Sequence, residues 1–591
     1  MRYRAEIDGL RSIAVVPVVL SHAGLPLFHG GFVGVDVFFV ISGFLITTIL
    51  RDEMAKERFS FVRFYERRTR RLMPALLVVI CACIPFAWLW MLPEFLANFG
   101  QSIVATLLFS NNILLAITSG YWDLESGFKP LLHTWSLGVE EQFYIVFPPL
   151  MLLLWRFGQR AVLGGIIIIG ISSFLFAEYG WRHFPSENFY LPIGRAWELM
   201  IGAACVFLPR RTCQADGFLA FAGLIAIVIA VFSYTEARPF PSAYTLLPVA
   251  GTALVLLFCR TGTLCHRILT LPPMVWIGLI SYSLYLWHQP LFAFARIYAL
   301  EPPSSLLMAG LSVVSVCLAW LSWRFIEQPF RNTRTISFRT LICTCGLISV
   351  TLLAFGLYLH KTDGRPDRVF PNMTSTGDLY ISYNERVREY ASSAFPKNSR
   401  MNILVGGNST ARDFSNVLIE AGIIETRNLV YRADLSSCPR VDENSSHELD
   451  GLLKEADLVI LTAESSGGCV LQTMNKLEST TAAPILILGP KNFGYNMNPF
   501  ARVAQNDRPD TRVAVPAETL ALNDDFRAKI APDRYMDIIG IIGDGRTLPV
   551  FDDDSLPLSQ DRVHLTKYRA VYFAKKISGF TNLMAILGDK I

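Results

Sequence analysis

Charged residues are scarce in this chain of 591 residues, where Asp, Glu, Lys and Arg together make up 17% and hydrophobic residues 52%. A composition this poor in charge departs from the soluble average towards proteins that cross a membrane several times. The formal net charge of +4 is too small to indicate binding to nucleic acid. The sequence therefore favours a polytopic membrane protein and argues against a nucleic-acid partner.

Motifs for metal binding are also lacking in the sequence. The eleven cysteines include no Cys-x-x-Cys pair and the histidines do not cluster, so we expect no metal site. Only Cys438 and Cys469 lie in the C-terminal part, and in an oxidising compartment these two are able to form a disulfide. The first apolar run lacks a small-residue cleavage site, so we expect no cleavable signal peptide.

Long apolar runs are present, but they stop at about Leu359. The runs before that point have lengths of ~20 residues, enough to cross ~30 Å of hydrocarbon, and no such run follows Lys361. By the hydropathy rule this pattern predicts about eleven transmembrane helices. They lie near residues 12–27, 34–50, 72–92, 135–155, 162–179, 196–208, 217–232, 244–259, 275–298, 306–321 and 341–359.

The basic residues of the loops set the predicted orientation. Clusters such as RFYERRTRR, RFGQR and RNTRTISFR are expected on the cytoplasmic side, together with the N-terminus, by the positive-inside rule. One more apolar segment, residues 98–118, carries Gln101, Asn111 and Asn112, and counting it as a span would reverse every later loop. We therefore interpret it as a re-entrant or interfacial helix, which places everything after Lys361 in the exported compartment.

The exported part has the pattern of a soluble α/β domain. MNILVGGNS, ADLVILTAE and APILILGPKN contain short β-rich runs that are followed by Gly, Ser or Asn. Helix-like stretches separate these runs, and the alternation predicts an α/β/α fold around a parallel sheet. Residues 362–399 are polar and lack a long periodicity, so we interpret them as a linker.

A series of motifs carries a family resemblance over most of the chain. They are DGLRSIAVVPVVLSH, GGFVGVDVFFVISGFLIT, FYERRTRRLMP, LLHTWSLGVEEQFY, GRAWEL, SYSLYLWHQP and WRFIEQPFR. Residues 1–335 resemble the acyltransferase family 3 membrane domain, and residues 400–591 resemble an SGNH-type hydrolase domain. Residues 336–399 would add one transmembrane helix and the linker. The whole is similar to the fused O-antigen O-acetyltransferases of bacterial inner membranes.

The resemblance implies a donor site on the cytoplasmic side. Arg68 and Arg71 are three residues apart on a helical approach to the third span, so they share one side. Together with Arg11 they are able to clamp the phosphates of acetyl-CoA through forked hydrogen bonds. The alternative is that these arginines only obey the positive-inside rule.

His22 lies eleven residues after Arg11, about three helical turns or roughly 16 Å along the axis. It suits a general base or a transient acyl acceptor, because imidazole titrates near neutral pH. Asp36, at the start of the next span, is expected to orient this imidazole. Of the adjacent Glu140 and Glu141, we expect one to face the site and the other to lie at the interface. Weaker candidates, equally able to form buried ion pairs, are Arg195, Glu198, His288 and Glu327.

A second set of site residues lies in the exported domain. Ser409, in VGGNSTARDF, follows a predicted strand and precedes a helix whose amides are able to stabilise an oxyanion. Asp561 and His564, in SQDRVHLT, have the Asp-x-x-His spacing that ends SGNH domains, so the resemblance implies a Ser-His-Asp triad. The family usually has Gly-Asp-Ser where this chain has Gly407, Asn408 and Ser409.

The oxyanion donors of this triad have weaker sequence signals. We assign the oxyanion side chain to Asn492, in GPKNFGYN, and consider Gly467 for the glycine amide.

The predicted function is an inner-membrane O-acyltransferase. It would take an acetyl group from cytoplasmic acetyl-CoA, pass it through the His22 region, and complete transfer through an acyl-Ser409 ester to a hydroxyl of a surface glycan or its lipid-linked precursor. In one alternative the membrane domain acetylates a lipid-linked glycan directly and the SGNH domain only positions it. A transporter would leave the Ser409 triad unexplained, and a membrane-anchored esterase would leave the N-terminal motifs unexplained.

Overall fold

The computed structural model describes residues 3–118, 126–208, 214–235, 237–371, 381–435, 438, 447–462, 467–559 and 561–588. The chain forms two compact units. The first consists of Met1–Trp88, Asn98–Arg296 and Pro303–Lys361. The second consists of Leu89–Ala97, Ile297–Pro302 and Thr362–Ile591. Two short segments that precede Lys361 in the sequence therefore belong to the C-terminal unit.

The first unit is helical, although residues 89–90, 93–97 and 297–298 at the ends of three of its helices belong to the second unit. Its helices are α1 (Ala5–His22), α2 (Gly34–Met54), α3 (Phe61–Trp90), α4 (Pro93–Leu107), α5 (Asn111–Thr118), α6 (Thr134–Trp155), α7 (Gln159–His183), α8 (Pro185–Tyr190), α9 (Pro192–Ala204), α10 (Asp216–Ser233), α11 (Leu246–Phe258), α12 (Leu264–Leu269), α13 (Pro272–Tyr298), α14 (Ser305–Ser322), α15 (Gln328–Arg331) and α16 (Phe338–Lys361). A π-helical turn, Trp323–Glu327, makes α14 and α15 continuous.

Seven helical segments in the described part of the chain are long and apolar enough to cross a membrane. They are Pro26–Met54, Phe61–Trp90, Thr134–Trp155, Gln159–His183, Asp216–Ser233, Ser305–Arg331 and Phe338–Lys361. Helices also lie at the other four predicted positions, but α9 and α11 have only 13 residues each, short of the ~20 that a span needs. The polytopic helical domain is confirmed, whereas the count of eleven stays a prediction.

The segment interpreted as a re-entrant or interfacial helix is broken in the structure. Helix α4 ends at Leu107 and α5 begins at Asn111, and Phe109 between them has a left-handed φ of 53°. Asn111 is buried and donates through Nδ2 to Leu131 O at 3.0 Å and to Thr134 Oγ1 at 2.8 Å. Neither half is long enough to cross a bilayer, and protein oxygens accept both hydrogen bonds of the buried Nδ2 group, as an irregular segment at membrane depth requires.

The second unit is an α/β domain. Its strands are β1 (Asn402–Gly406), β2 (Asn428–Arg432), β3 (Leu458–Thr462), β4 (Ile485–Leu488), β5 (Arg512–Ala514), β6 (Tyr535–Met536) and β7 (Thr547–Pro549). Five of them form a parallel sheet in the order β2-β1-β3-β4-β6, and β5 pairs with β7 in antiparallel fashion. Its helices are α17 (Ile381–Glu385), α18 (Ser409–Glu420), α19 (His447–Glu455), α20 (Gly467–Leu477), α21 (Ala517–Lys529), α22 (Ile538–Ile542), α23 (Lys567–Lys575) and α24 (Thr581–Leu587).

The central strands are buried, as expected for a parallel sheet with helices on its faces. All five residues of β3 are buried, and Leu404, Val459 and Ile487 belong to one apolar core with side chains of α19 to α21. The predicted parallel α/β domain is therefore confirmed.

Two further predictions concern the disulfide of this domain and the linker before it. Cys438 and Cys469 form a disulfide with their Cα atoms 5.7 Å apart, which confirms the predicted pairing. Part of the predicted linker is folded, because buried Asn384 of α17 donates to Leu565 O at 2.9 Å. Residues 372–380 of the linker lie outside the described residues.

Candidate active sites

Ser409 lies at the point in the second unit where parallel sheets of this type bind ligands. The order β2-β1-β3 reverses direction at β1, and such switch points hold ligands at the carboxyl ends of the strands. Strand β1 ends at Gly406 and α18 begins at Ser409, after a turn in which Gly407 has a left-handed φ of 126°. Asn408 Oδ1 accepts from Thr410 N–H at 2.9 Å as the helix N-cap. Asn and Asp cap helices equally well, so the departure from Gly-Asp-Ser preserves this turn.

Asp561 and His564 are brought together as predicted. Asp561 Oδ2 lies 2.5 Å from His564 Nδ1, while Oδ1 accepts from the N–H groups of Val563 and His564 at 2.7 and 2.6 Å. A carboxylate at Nδ1 keeps the proton on that nitrogen and leaves Nε2 as the proton acceptor. The pair therefore has the geometry of a general base with its orienting acid.

Asp413 connects this loop to the helix that begins with Ser409. It lies four residues after Ser409 on the same helix face. Its Oδ2 accepts from Leu565 N–H at 3.1 Å and from the ammonium of Lys491, which also donates to Val563 O. Both side chains of the pair are 1% exposed. The arrangement, which we call the Asp413 tie, holds the His564 loop against α18.

The Asp413 tie has no counterpart in the sequence prediction. The only signal was the spacing of four residues between Ser409 and Asp413, since Lys491 is 78 residues from its partner. Burial lowers the pKa of the Lys491 ammonium, and the Asp413 carboxylate opposes that shift. The charge of this lysine therefore depends on its partner.

The two predicted oxyanion donors, Asn492 and Gly467, have different hydrogen-bond partners in the structure. Asn492 lies in the loop after β4, which contacts the His564 loop through Phe493 N–H and Arg562 O at 2.8 Å. Its Oδ1 accepts from Gly494 N–H at 3.1 Å, whereas an oxyanion would need the Nδ2 donor. Gly467 N–H donates to Asp525 Oδ2 at 2.8 Å, so the assignment of this amide to the oxyanion is wrong.

Glu94 is a further carboxyl group near Asp561 that sequence reasoning missed. It belongs to the segment Leu89–Ala97 of the second unit. In this segment Leu92 N–H donates to Asn498 Oδ1 at 2.8 Å. Its Oε2 atom is buried and has no hydrogen-bond partner among the residues the structure describes. Burial raises the pKa of Glu94 to about 8, and the negative charge of Asp561 adds to that shift.

The first unit brings the three predicted arginines together. Arg11, Arg68 and Arg71 line one cavity of about 300 Å³, whose other lining is largely apolar. A second cavity, of about 790 Å³, shares Arg11 and Arg71 with the first. Its lining adds Arg4, Arg63, Arg67, Arg70 and Arg331, against the two carboxylates of Asp8 and Glu66. This excess of guanidinium groups suits a ligand with several phosphates.

The adjacent glutamates have different partners. Glu140 lines the smaller cavity and accepts from Ser42 Oγ at 3.0 Å and from Tyr144 Oη at 3.1 Å. Glu141 is 7% exposed and accepts from Arg68 Nη2 at 3.2 Å. One glutamate faces the cavity as expected, but placing the other at the interface was wrong, because the buried Arg68 requires a counter-charge.

Asp36 does not orient His22, and that prediction was wrong. It is fully buried and pairs with Arg195 Nη1 at 2.8 Å. Arg195 also binds Glu198 at 3.2 Å, so these groups form the buried ion-pair structure that was the alternative for the weaker candidates. A buried guanidinium is a stronger partner for a carboxylate than a neutral imidazole.

The partner of His22 is His288. His22 Nδ1 lies 3.0 Å from His288 Nε2, with the ring centroids 5.1 Å apart. Arg296 Nη2 donates to the backbone carbonyl of His22 at 2.6 Å. The remaining weaker candidate, Glu327, accepts from Ser283 and from Arg331. Among the described residues no three His, Cys, Asp or Glu side chains are arranged to hold a metal ion.

The chain is similar to known acyltransferases over part of its length. A family model described as an acyltransferase domain, Acyl_transf_3, matches residues 4–324. The peptidoglycan O-acetyltransferase OatA of Listeria monocytogenes is 31% identical over 356 residues, 57% of this chain and 57% of that protein. The O-acetyltransferase OatA of Staphylococcus aureus is 28% identical over 376 residues, 60% of this chain and 61% of that protein.

A third relative matches over most of its own length. BcsY of Komagataeibacter xylinus, provisionally named a membrane-bound transacylase, is 33% identical over 361 residues, 59% of this chain and 90% of that protein. The chain spans only about three fifths of the length of the two OatA proteins. No solved structure is significantly similar. Together with the seven candidate spans, these relatives identify a multi-pass membrane protein.

The Asp413 tie predicts a large loss of stability when its carboxylate is removed. Asp413→Ala leaves the Lys491 ammonium buried without a counter-charge, which should lower the opening free energy of the second unit by about 3–5 kcal/mol. Hydrogen exchange of the β1 amides in the full chain measures this loss. Asp434→Ala, which breaks an exposed pair with Arg432, should cost less than about 1 kcal/mol. Equal losses in the two variants would contradict the tie.

Glu94 predicts a stability that depends on pH. Its pKa of about 8 in the folded chain exceeds the ordinary 4.5, so between those values folding takes up a proton. Stability should therefore fall as pH rises through that window, by up to about 4–5 kcal/mol. Glu94→Gln should flatten the profile of melting temperature between pH 5 and 9, whereas Glu448→Gln, at an exposed site, should not. Parallel profiles for wild type and Glu94→Gln would refute this assignment.

Proposed function

Since this chain belongs to the acyltransferase family 3, we propose that it is an O-acetyltransferase of the bacterial inner membrane. It moves an acetyl group from cytoplasmic acetyl-CoA to a hydroxyl of a surface polysaccharide, an O-antigen or a similar glycan. The observation that carries the proposal is the cavity pair lined by Arg11, Arg68 and Arg71 in a domain of this family.

The donor fits the two cavities by charge and polarity. The larger cavity, with its seven arginines, takes the phosphate groups of acetyl-CoA. The smaller cavity has a mostly apolar lining and takes the pantetheine arm and the thioester. Arg68 is held over the Tyr144 ring at 3.9 Å and against Glu141, so its guanidinium is preorganised for the ligand.

The acceptor half of the reaction belongs to the second unit, for which we propose an SGNH-type fold. His564 Nε2 takes the Ser409 proton as the hydroxyl oxygen attacks the carbonyl carbon of the acetyl group. The bond from that carbon to the group that delivers the acetyl breaks, His564 returns the proton to this leaving group, and an acetyl-Ser409 ester forms. The glycan hydroxyl then attacks this ester with His564 as base, and Ser409 regains its proton. The Asp561 carboxylate, 2.5 Å from Nδ1, stabilises the imidazolium formed in each step.

The acceptor class rests on the relatives and on the resemblance of the motifs. OatA of Listeria monocytogenes is named for peptidoglycan, which is a polysaccharide acceptor of the same chemical class. The proposed donor and glycan lie on opposite sides of the membrane, so the acetyl group crosses through the first unit near His22.

The reaction itself is tested by mass spectrometry of the surface glycan. Deletion of the gene should remove acetyl groups from the repeat unit, and the wild-type chain should restore them. Ser409→Ala and His22→Ala should each fail to restore them, because loss of a nucleophile or base removes most of the rate. Ser415→Ala, a matched change on α18 whose hydroxyl binds only Ala411 O in the described structure, should restore them fully. Full acetylation with Ser409→Ala would reject the two-step transfer.

The proposed topology makes a separate prediction. With the N-terminus in the cytoplasm and an odd number of spans, reporter fusions after Lys361 should report the periplasm and fusions after Met54 the cytoplasm. This orientation is expected because, by the positive-inside rule, the basic loops lie in the cytoplasm. Alkaline phosphatase and green fluorescent protein fusions measure the two sides. A cytoplasmic reporter after Lys361 would overturn the crossing count and the transfer across the membrane.

A further inference from the structure

Three histidines that are far apart in the sequence meet in the first unit. His22 ends α1, His133 precedes α6, and His288 lies within α13. The ring of His288 stacks on His22 at a centroid distance of 5.1 Å and meets His133 edge to face at 5.5 Å. His133 and His288 are fully buried, whereas His22 keeps partial exposure. His22 is therefore the member of the cluster that a reactant can approach.

The hydrogen bonds of His288 fix its tautomer. His288 Nδ1 lies 3.3 Å from Leu284 O, and a carbonyl oxygen only accepts, so Nδ1 carries the proton. A neutral imidazole with a proton on Nδ1 has a lone pair on Nε2. Burial without exposure to water favours this neutral form.

The tautomer of His288 determines the tautomer of His22. Since His288 Nε2 accepts at 3.0 Å, His22 Nδ1 must be the donor. A neutral His22 with its proton on Nδ1 carries its free lone pair on Nε2. The nitrogen that remains available to a reactant is thus an acceptor, as a general base requires.

The aromatic neighbours of His288 hold its ring in this orientation. Tyr285 lies 5.3 Å and Phe292 6.0 Å from the His288 ring, centroid to centroid. Tyr285 in turn donates to His133 O at 2.9 Å, which fixes the other side of the cluster. A ring packed in this way does not flip to offer Nδ1 in place of Nε2 without displacing its neighbours.

We propose that His288 is a positioning residue that orients His22 and fixes its tautomer, so that His22 Nε2 is the base in the membrane-domain step; the inference rests on the proposed function. In that step Nε2 takes the proton of an acceptor hydroxyl while its oxygen attacks the acetyl carbonyl. The carbon–sulfur bond of the thioester breaks, and Nε2 returns the proton to the leaving thiolate. The products are the acetyl ester and coenzyme A, and His288 touches neither.

The test compares two substitutions at position 288. His288→Gln places a carbonyl oxygen near the former Nε2 and is able to accept from His22 Nδ1, whereas His288→Phe keeps an aromatic ring but accepts nothing. Membrane vesicles with the full chain and radiolabelled acetyl-CoA give the rate of transfer to endogenous glycan. We expect His288→Phe to lower kcat at least ~100-fold with little change in KM for acetyl-CoA, and His288→Gln to recover to within ~10-fold of wild type.

The controls separate this role from folding and from the proposed function. His183→Phe, at the end of α7, makes the same chemical change outside the cluster and should keep the wild-type rate. Nitrogen-15 NMR of the histidines in the wild-type chain, with the His22 signals assigned by substitution, should find His22 protonated on Nδ1. Protonation on Nε2 alone would overturn the inference. Because this measurement uses the wild-type chain, it remains decisive even if a variant fails to fold. An unimpaired His288→Phe, or a His288→Gln no better than it, would also overturn the inference. A wild-type chain that transfers no acetyl would instead reject the proposed function.

Discussion

Ionised groups carried on apolar helices must find their partners inside the protein, and this constraint organises the first unit. A buried guanidinium without a carboxylate is costly, so a buried arginine is expected to pair with an acid. Arg195 pairs with Asp36, and Arg68 pairs with Glu141. These two pairs join helices that are remote in sequence. Arg71 lines both cavities, as does Arg11, which lies 3.6 Å from Asp8. Structural pairing of some charges thus leaves others for an anionic ligand.

The second unit meets a related requirement by different means. Its sheet order places the end of β1 at the switch point, and the turn through Gly407 brings Ser409 to the start of α18. The proposed nucleophile at that place requires the proposed base loop, more than a hundred residues later, to be held against the same helix. The Asp413 tie does this with one buried ion pair and one backbone bond. Stability and the geometry of the site therefore depend on the same carboxylate.

The sequence predicted local features well and long-range partners poorly. Hydropathy located the helices, alternation located the parallel strands, and the Asp-x-x-His spacing located Asp561 and His564, because each signal lies within a few residues. The partners of Asp36 and His22 are 159 and 266 residues away, and nothing local marks them. Glu94 near Asp561 is a similar case. Sequence reasoning therefore recognised which residues are unusual but assigned several of them to the wrong neighbour.

The two histidines proposed as bases show how the surroundings determine the orienting partner. His564 has a carboxylate at Nδ1, and that carboxylate is supported by two backbone N–H groups in a partly exposed loop. His22 has the neutral ring of His288 at Nδ1 instead. A carboxylate at that position would need its own compensation inside an apolar helical unit, and the one expected there from the sequence, Asp36, is bound to Arg195. An imidazole accepts the same hydrogen bond without bringing a charge, so it orients the base at a lower desolvation cost.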